Sequence, residues 1–289
     1  MALEHSHETV RDRLLEGLPL KQRQQEIDGL TTSVLEGGDG PPLVLLHGGI
    51  QAGGVIWWRV LPRLATTYRV VVPDLPGLGE SQPAAHLDAR TVAAWLDRLI
   101  EMSCGEEQPI LVAHSTPGAL AARFAVEHGA RLRRLVLVDA AGLAPFRPSP
   151  GLLLALLRSV LRPTIGSFEG LMGRVMHDLD RVRQQEDGRW QALARYAVSR
   201  AARPSAKRAM RQVARAGTRA IPHDQLRGIA VPTALLWGSH DRLLPLPIAQ
   251  AASATLGWSL HVIDDAGHLP HVEQPDAFLA ALAAATAEQ

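Results

Sequence analysis

Cysteine is almost absent from this chain, since Cys104 is the single one among 289 residues. One thiol cannot form an intramolecular disulfide, so the sequence does not require an oxidising compartment, and we expect a cytoplasmic protein. Long apolar runs are also missing. The nearest, Gly151 to Leu161, is interrupted by Arg158, which argues against a membrane-spanning helix of about 18 apolar residues. The first 25 residues carry charges throughout, so we expect no secretory signal peptide.

An excess of charge of one sign is likewise lacking. The chain has 30 basic and 29 acidic side chains, a formal net charge of +1. This balance removes the global electrostatic argument for a nucleic acid partner. With 46% hydrophobic and 20% charged residues, the composition is that of a globular protein and excludes extensive disorder.

Six short apolar runs predict the strands of a central sheet. Most are apolar at consecutive positions, which is typical of strands covered on both faces. Amphipathic helical patterns lie between them, for example from Ala89 to Met102. The fold class is therefore α/β, with a doubly wound, mostly parallel sheet, and a pair of short strands around Glu26 to Glu36 predicts an antiparallel edge hairpin. The predicted strands are Leu43–Leu46, Arg69–Pro73, Ile110–Ala113, Leu135–Asp139, Thr233–Trp237 and Leu260–Ile263.

Between residues 142 and 228 the strand signals disappear, and the pattern is helical with several prolines. Such an insertion between two strands of one sheet predicts an all-helical cap, or lid, over the sheet edge. We therefore divide the chain into an N-terminal helical extension (1–25), an α/β core (26–141 and 229–289) and the cap (142–228). The cap contains 16 basic and 6 acidic residues, a net charge of +10, which leaves −9 for the remainder.

Ser115 follows the predicted strand that ends at Ala113 and directly precedes a helix. A serine on such a turn exposes its hydroxyl above the sheet edge, but it needs a base and an orienting carboxylate to act as a nucleophile. Asp241 follows the strand ending at Trp237, and His268 follows the last strand. Because ligands bind at the carboxyl ends of the strands, the sequence predicts a triad of Ser115, His268 and Asp241.

These motifs, together with His47-Gly48-Gly49 and the Asp74 to Ser81 loop, resemble the α/β-hydrolase fold superfamily over residues 26 to 286. The turn at Ser115, the nucleophile elbow, departs from the family pattern G-x-S-x-G. Ala113 replaces the first glycine and Pro117 the second, with Gly118 one place later. The effect of Pro117 on the elbow is left open.

The resemblance implies an oxyanion hole formed by the backbone N–H groups of Gly49 and Thr116. It implies neither a metal nor an organic cofactor. Asp139, at the end of another strand, is an alternative position for the acid. We also expect Trp57, Trp58 and His47 to wall the substrate pocket.

A serine hydrolase acting on a carboxylic ester, lactone or thioester is the main functional prediction. Two alternatives stay open: a carbon–carbon bond hydrolase of the meta-cleavage-product type, and a non-catalytic ligand-binding member of the fold. We expect a small acyl substrate as the partner, with no nucleic acid and no membrane, and leave a homo-oligomer open. In a further hypothesis, one or two cap arginines bind a substrate carboxylate.

Overall fold

Eight strands form one sheet in the computed structural model, which describes residues 10–48, 52–186 and 188–287. Their order across the sheet is β1-β2-β4-β3-β5-β6-β7-β8. β1 and β2 form an antiparallel hairpin, β2 is antiparallel to β4, and all later pairings are parallel. The strands are β1 (Lys21–Ile27), β2 (Leu30–Gly37), β3 (Pro42–Leu46), β4 (Arg69–Pro73), β5 (Ile110–His114), β6 (Arg134–Val138), β7 (Thr233–Gly238) and β8 (Ser259–Ile263).

The six strands predicted from apolar runs are present, each within one residue of its predicted ends. Every residue of β3, β5, β6 and β7 is buried, because helices cover both faces of the sheet centre. β1 and β8 are the two edges and are more exposed. The prediction of a doubly wound, mostly parallel sheet is therefore confirmed.

The predicted N-terminal extension needs a correction. A helix, α1, covers residues 10–15, but residues 21–25 belong to β1, so a helical segment extending to residue 25 is wrong. β1 has the sequence Lys-Gln-Arg-Gln-Gln-Glu-Ile and exposes most of its side chains. A polar edge strand lacks the apolar alternation by which strands are found, so residues 21–25 carried no strand signal and only the end of β1 was predicted as part of the edge hairpin. Residues 1–9 lie outside the described residues.

Short helices connect the strands of the core. α3 is fixed at its start by a capping box, in which the Asp88 carboxylate accepts from the Thr91 backbone N–H. Two 3₁₀ turns, Gly53–Trp57 and Gly129–Arg131, complete the core. The α-helices of the core are α2 (Leu61–Leu64), α3 (Ala89–Cys104), α4 (Thr116–His128), α11 (Pro247–Leu256), α12 (Pro270–Glu273) and α13 (Pro275–Ala287).

Between β6 and β7 the described residues contain helices and no strand, as the inserted cap predicts. Prolines punctuate this segment because they occupy the first turn of α5 and α9, where a missing N–H costs nothing. None of the described helices is both long and apolar enough to span a bilayer. The cap helices are α5 (Pro150–Leu161), α6 (Ile165–Val175), α7 (Leu179–Gln185), α8 (Arg189–Ala201), α9 (Pro204–Gly217) and α10 (His223–Arg227).

A buried ionic network fastens the cap to the core. Arg11 of α1 pairs with Asp74 at 3.0 Å between Nη2 and Oδ2, and donates to the Tyr196 hydroxyl of α8 at 2.8 Å. Tyr196 donates in turn to Glu80, which also pairs with Arg200 of α8. Burial alone would lower the pKa of Arg11, but Asp74 and Tyr196 outweigh it and the net shift is upward. The network therefore joins α1, the loop after β4 and the cap through charges held out of water.

Candidate active site

Ser115 lies between β5 and α4 in a strained backbone conformation, with φ 63° and ψ −133°. A non-glycine residue with positive φ is uncommon, and here it is held by the surrounding packing. A Cβ on Gly118 would lie 2.5 Å from the Cβ of Ala140, so the helix can approach β6 only with glycine there. The Ser115 side chain makes no capping hydrogen bond to α4. Its hydroxyl is therefore free to face the space above the sheet.

A chain of hydrogen bonds joins the three residues predicted from the sequence. His268 Nε2 lies 2.9 Å from Ser115 Oγ, and His268 Nδ1 lies 2.8 Å from Asp241 Oδ2. The other Asp241 oxygen accepts the backbone N–H groups of Leu243 and Leu244. With Asp241 accepting from Nδ1–H, Nε2 is left with a lone pair toward the serine hydroxyl. The arrangement can remove a proton from Ser115 as its oxygen attacks a carbonyl carbon.

Asp139 stands behind this chain. Its Oδ1 accepts the Gly238 backbone N–H at 3.0 Å, and its Oδ2 has no hydrogen-bond partner among the described residues. Burial, and next the charge of Asp241, raise the pKa of Asp139 well above its usual range. Because Asp241 and not Asp139 is hydrogen-bonded to His268 Nδ1, the geometry favours Asp241 over Asp139 as the partner of the imidazole.

Two buried histidines surround His268, and the sequence suggested no role for either. The His114 Nε2–H group donates to the backbone oxygen of His268 at 2.7 Å, and the two rings lie 4.8 Å apart. Burial, with a smaller effect of His268, lowers the pKa of His114 well below its ordinary value and that of His271 to about 3. Both rings are therefore neutral, and neither adds a positive charge beside the base.

Glu273 of α12 holds the loop that carries His268. Its Oε1 accepts the backbone N–H groups of Gly267 and Leu269, and its Oε2 accepts that of His177 in the cap. Burial is the largest influence on this carboxyl and raises its pKa. Sequence reasoning missed Glu273, because an isolated glutamate in a short helix usually indicates a solvated surface.

The two predicted oxyanion donors differ in what the structure describes. Thr116 is the first residue of α4, with Pro117 in the same turn, so the helix begins there despite the proline. No described group accepts the Thr116 N–H, which leaves it available at the helix N-terminus. Gly49, the second predicted donor, lies outside the described residues.

A cavity of about 410 Å³ opens above Ser115 and His268. Its floor is the catalytic edge of the core, and its walls come from α5, α6, α8 and α9 of the cap. The lining is almost entirely apolar. Apart from histidine, the only ionisable side chain among the lining residues is Arg211. The cavity can therefore take an apolar group of moderate size, with one cation at its wall.

The expectation that Trp57, Trp58 and His47 wall this pocket is wrong, because none of them lines the cavity. Trp57 is fully buried and packs 4.1 Å from the His271 ring, and Trp58 donates to Glu186. His47 donates from Nδ1 to the Gly48 carbonyl and accepts the Leu75 N–H at Nε2, so it ties two loops of the core together. These large rings fill the core instead of facing the substrate.

Histidine and carboxylate groups come together at two places in the described structure. One is the set of Asp139, Asp241 and His268, in which His268 and Asp241 are hydrogen-bonded to each other. The other, near the surface, comprises His177, His240 and Asp265, with ligand atoms within 4.8 Å of one another. There the two ring centroids lie 4.1 Å apart with a tilt of 34°, His240 Nδ1 bonds with Ser239, and His177 Nε2 lies 3.9 Å from Asp265 Oδ1.

A model of the alpha/beta hydrolase family matches residues 43–281. The chain belongs to the alpha/beta hydrolase family. The match begins in β3 and includes the later strands and the whole cap.

Within this family, the chain is 32% identical over 270 residues to 2-hydroxymuconate semialdehyde hydrolase of Pseudomonas sp. strain CF600, covering 86% of this chain and 88% of that one. Among solved structures it is similar to a membrane phospholipase A, with TM-score 0.78, 29% identity, and coverage of 98% of this chain and 92% of the other. A carboxylesterase from Bacillus subtilis has the same fold, with TM-score 0.81 at 19% identity and 98% coverage of each chain.

Proposed function

We propose that this alpha/beta hydrolase is a serine esterase that cleaves carboxylic esters of apolar acyl groups. The observation that carries the proposal is the Ser115–His268–Asp241 hydrogen-bond chain at the floor of an apolar cavity. The single cysteine is compatible with action in the cytoplasm, which we propose as its location.

In the proposed mechanism, Ser115 Oγ attacks the ester carbonyl carbon while His268 Nε2 accepts the hydroxyl proton. The Thr116 N–H, with Gly49 as the expected second donor, stabilises the negative oxygen; loss of one such donor typically costs about 10²–10³ in rate. His268 then gives its proton to the leaving alcohol. Water, deprotonated by His268, attacks the acyl-enzyme, and the carboxylic acid leaves as Ser115 regains its proton.

The cavity lining supports an apolar acyl group over an anionic substrate. Most of the lining consists of aliphatic and aromatic side chains, and Arg211 is the one lining side chain with a permanent charge. The other polar side chains that the cap adds are the hydroxyl groups of Ser159, Ser167 and Thr218. Burying a carboxylate without a paired cation is costly. Lactones and thioesters with apolar substituents are near variants of the same acyl chemistry.

Carbon–carbon bond hydrolysis is the second candidate. It is favoured by the 32% identity to 2-hydroxymuconate semialdehyde hydrolase over most of both chains. Arg211 would then bind the carboxylate of a dienoate substrate.

A hydrolysis panel tests both candidates. We expect turnover of p-nitrophenyl esters, with butyrate and octanoate preferred to an ester that carries a second carboxylate. Ser115→Ala is expected to lose at least about 10³-fold in kcat/KM and to resist labelling by a fluorophosphonate. The control is Ser239→Ala, which changes another serine, in the turn that carries Asp241. This variant should retain both hydrolysis and fluorophosphonate labelling. Faster cleavage of a ring-fission dienoate would establish the second candidate, and no Ser115-dependent turnover of any substrate would favour a binding role.

A further inference from the structure

Exposed large hydrophobic side chains concentrate on one corner of the cap. They lie on α5 and at the start of α6, and we call them the apolar cap patch. Leu161 is 67% exposed, and the other members are between 38% and 49% exposed. Elsewhere in the described chain only Met102 and Val262 are comparable. The members of the apolar cap patch are Leu153, Leu154, Leu157, Leu161 and Ile165.

α5 explains why these side chains are outside. Leu152 and Ala155 are buried, whereas about half of the surface of each of Leu153, Leu154 and Leu157 is exposed. The helix is thus apolar on both faces although only one is covered. A surface helix normally has a polar outer face, so a leucine-rich one indicates a surface that meets another apolar phase.

The apolar cap patch is continuous with the mouth of the cavity. Leu157 and Leu161 are exposed and also line the cavity above Ser115. A molecule at the patch would therefore reach the nucleophile along a lining that is mostly apolar.

Cations without acidic partners surround the same corner. Arg158 and Arg162 lie within and directly after α5, and the Lys207 ammonium of α9 lies 3.4 Å from the Leu161 carbonyl. Arg211, one turn later on α9, lines the cavity. None of these four, the corner cations, forms an ion pair with a described residue.

We propose that this corner of the cap docks on an anionic lipid surface, with the apolar cap patch in the acyl region and the corner cations against the headgroups. Helices that lie in a bilayer interface combine these two features. A second copy of the chain is the weaker occupant, because it would bring two caps of net charge +10 together.

Docking deepens the proposed esterase function, on which this part of the inference rests, because the substrate would be an acyl ester held in the lipid phase. It departs from the sequence-based expectation of no membrane partner. That expectation rested on the absence of a spanning helix, which does not bear on a patch created by the packing of the cap.

Vesicle flotation tests the docking. Ser115→Ala protein is mixed with phosphatidylcholine vesicles, or with vesicles in which phosphatidylglycerol replaces about a third of the lipid. We expect binding to the anionic vesicles that weakens between about 0.1 M and about 0.5 M salt, and at least about tenfold weaker binding to phosphatidylcholine alone.

Two double substitutions, each in the Ser115→Ala background, separate the contributions of the apolar cap patch and of the corner cations to vesicle binding. Leu153→Ser/Leu154→Ser removes patch side chains that do not line the cavity, and Arg158→Glu/Arg162→Glu reverses two corner cations. Each is expected to lower binding about tenfold or more.

The controls change comparable side chains of the core. They are Met102→Ser, which is 44% exposed, and Lys21→Glu/Arg133→Glu; both should bind like the parent. The docking proposal would be refuted if the control variants lost vesicle binding equally, if binding did not depend on salt, or if the protein did not bind vesicles. A dimer in sedimentation velocity that Leu153→Ser/Leu154→Ser dissociates would also refute it.

Hydrolysis of a soluble ester distinguishes the docking proposal from the proposed esterase function. With Ser115 restored, Leu153→Ser/Leu154→Ser should hydrolyse p-nitrophenyl butyrate normally while losing activity on esters embedded in anionic vesicles. Vesicle binding without any ester hydrolysis would refute the proposed esterase function but would still support the docking proposal. Equal activity of parent and variant on vesicle-embedded esters would refute the lipid-phase substrate.

Discussion

The core and the cap treat their polar groups in opposite ways. Around His268, the core pairs both ring nitrogens and the Asp241 carboxylate, and it buries Ser115, His268 and Asp241 to within 7% exposure. The cap leaves arginines without acidic partners and leucines in water at the mouth of the cavity. Polar groups that are already held in place by hydrogen bonds can stabilise a reaction without rearranging. Exposed apolar patches and unpaired cations can instead bind a substrate or a partner surface. From this comparison we predict that the core performs the reaction and that the cap determines selectivity.

The largest expected effect comes from breaking the contact between the two regions. Arg11→Met leaves the Asp74 carboxylate buried without its ion-pair partner and removes the donor to the Tyr196 hydroxyl. Removing one partner of a buried ion pair costs about 3–5 kcal/mol, so we expect a loss of that size in the free energy of unfolding. Urea unfolding followed by circular dichroism measures it. Arg13→Met, an exposed arginine on the same helix, is the control, and an equal loss in both variants would show that the network does not fasten the cap.

The same contrast explains how much could be predicted from the sequence. The buried strands and the residues after β5, β7 and β8 were predictable because parallel strands are apolar throughout and bring their following loops to one edge. The proximity of Ser115, Asp241 and His268 could therefore be predicted from the sequence alone. Alpha/beta hydrolase membership is shown; the catalytic roles of the three residues stay a prediction.

What could not be predicted depends on packing between distant segments. Trp57 and Trp58 follow a loop expected near the pocket, but a tryptophan fits a core equally well, and both are buried there. The cavity walls depend on how four cap helices meet, which no local pattern encodes. Arg211 was hidden among 15 cap arginines, since only the fold distinguishes the one that lines the cavity.

A smaller effect is expected inside the core, at Asp139. Its raised pKa means that the folded state holds a proton that the unfolded chain loses near pH 4. Stability from this group is therefore complete below that pH and falls as pH rises toward the folded pKa, by up to about 1.4 kcal/mol per unit. Asp139→Asn has nearly the same size as the parent side chain and cannot ionise, so its free energy of unfolding should decline less between pH 5 and pH 8. Parallel pH profiles for the variant and the parent would show that Asp139 is ionised in the folded protein. Asp97→Asn, a half-exposed carboxylate on α3, controls for the loss of one charge.

The smallest effect is expected in the cap, at Arg211. This arginine is exposed to solvent at the cavity wall, so its attraction for a substrate carboxylate is screened and worth about 1 kcal/mol. Arg211→Gln should lower kcat/KM for an ester bearing a second carboxylate a few-fold and leave the matching neutral ester unchanged. Arg215→Gln, one turn further along α9 and outside the cavity lining, is the control and should alter neither. Equal losses on the acidic and the neutral ester would mean that Arg211 acts through the packing of α9 instead of its charge. A loss confined to the acidic ester would instead show that a cap cation attracts the substrate carboxylate, while the core performs the same reaction on the acidic and the neutral ester.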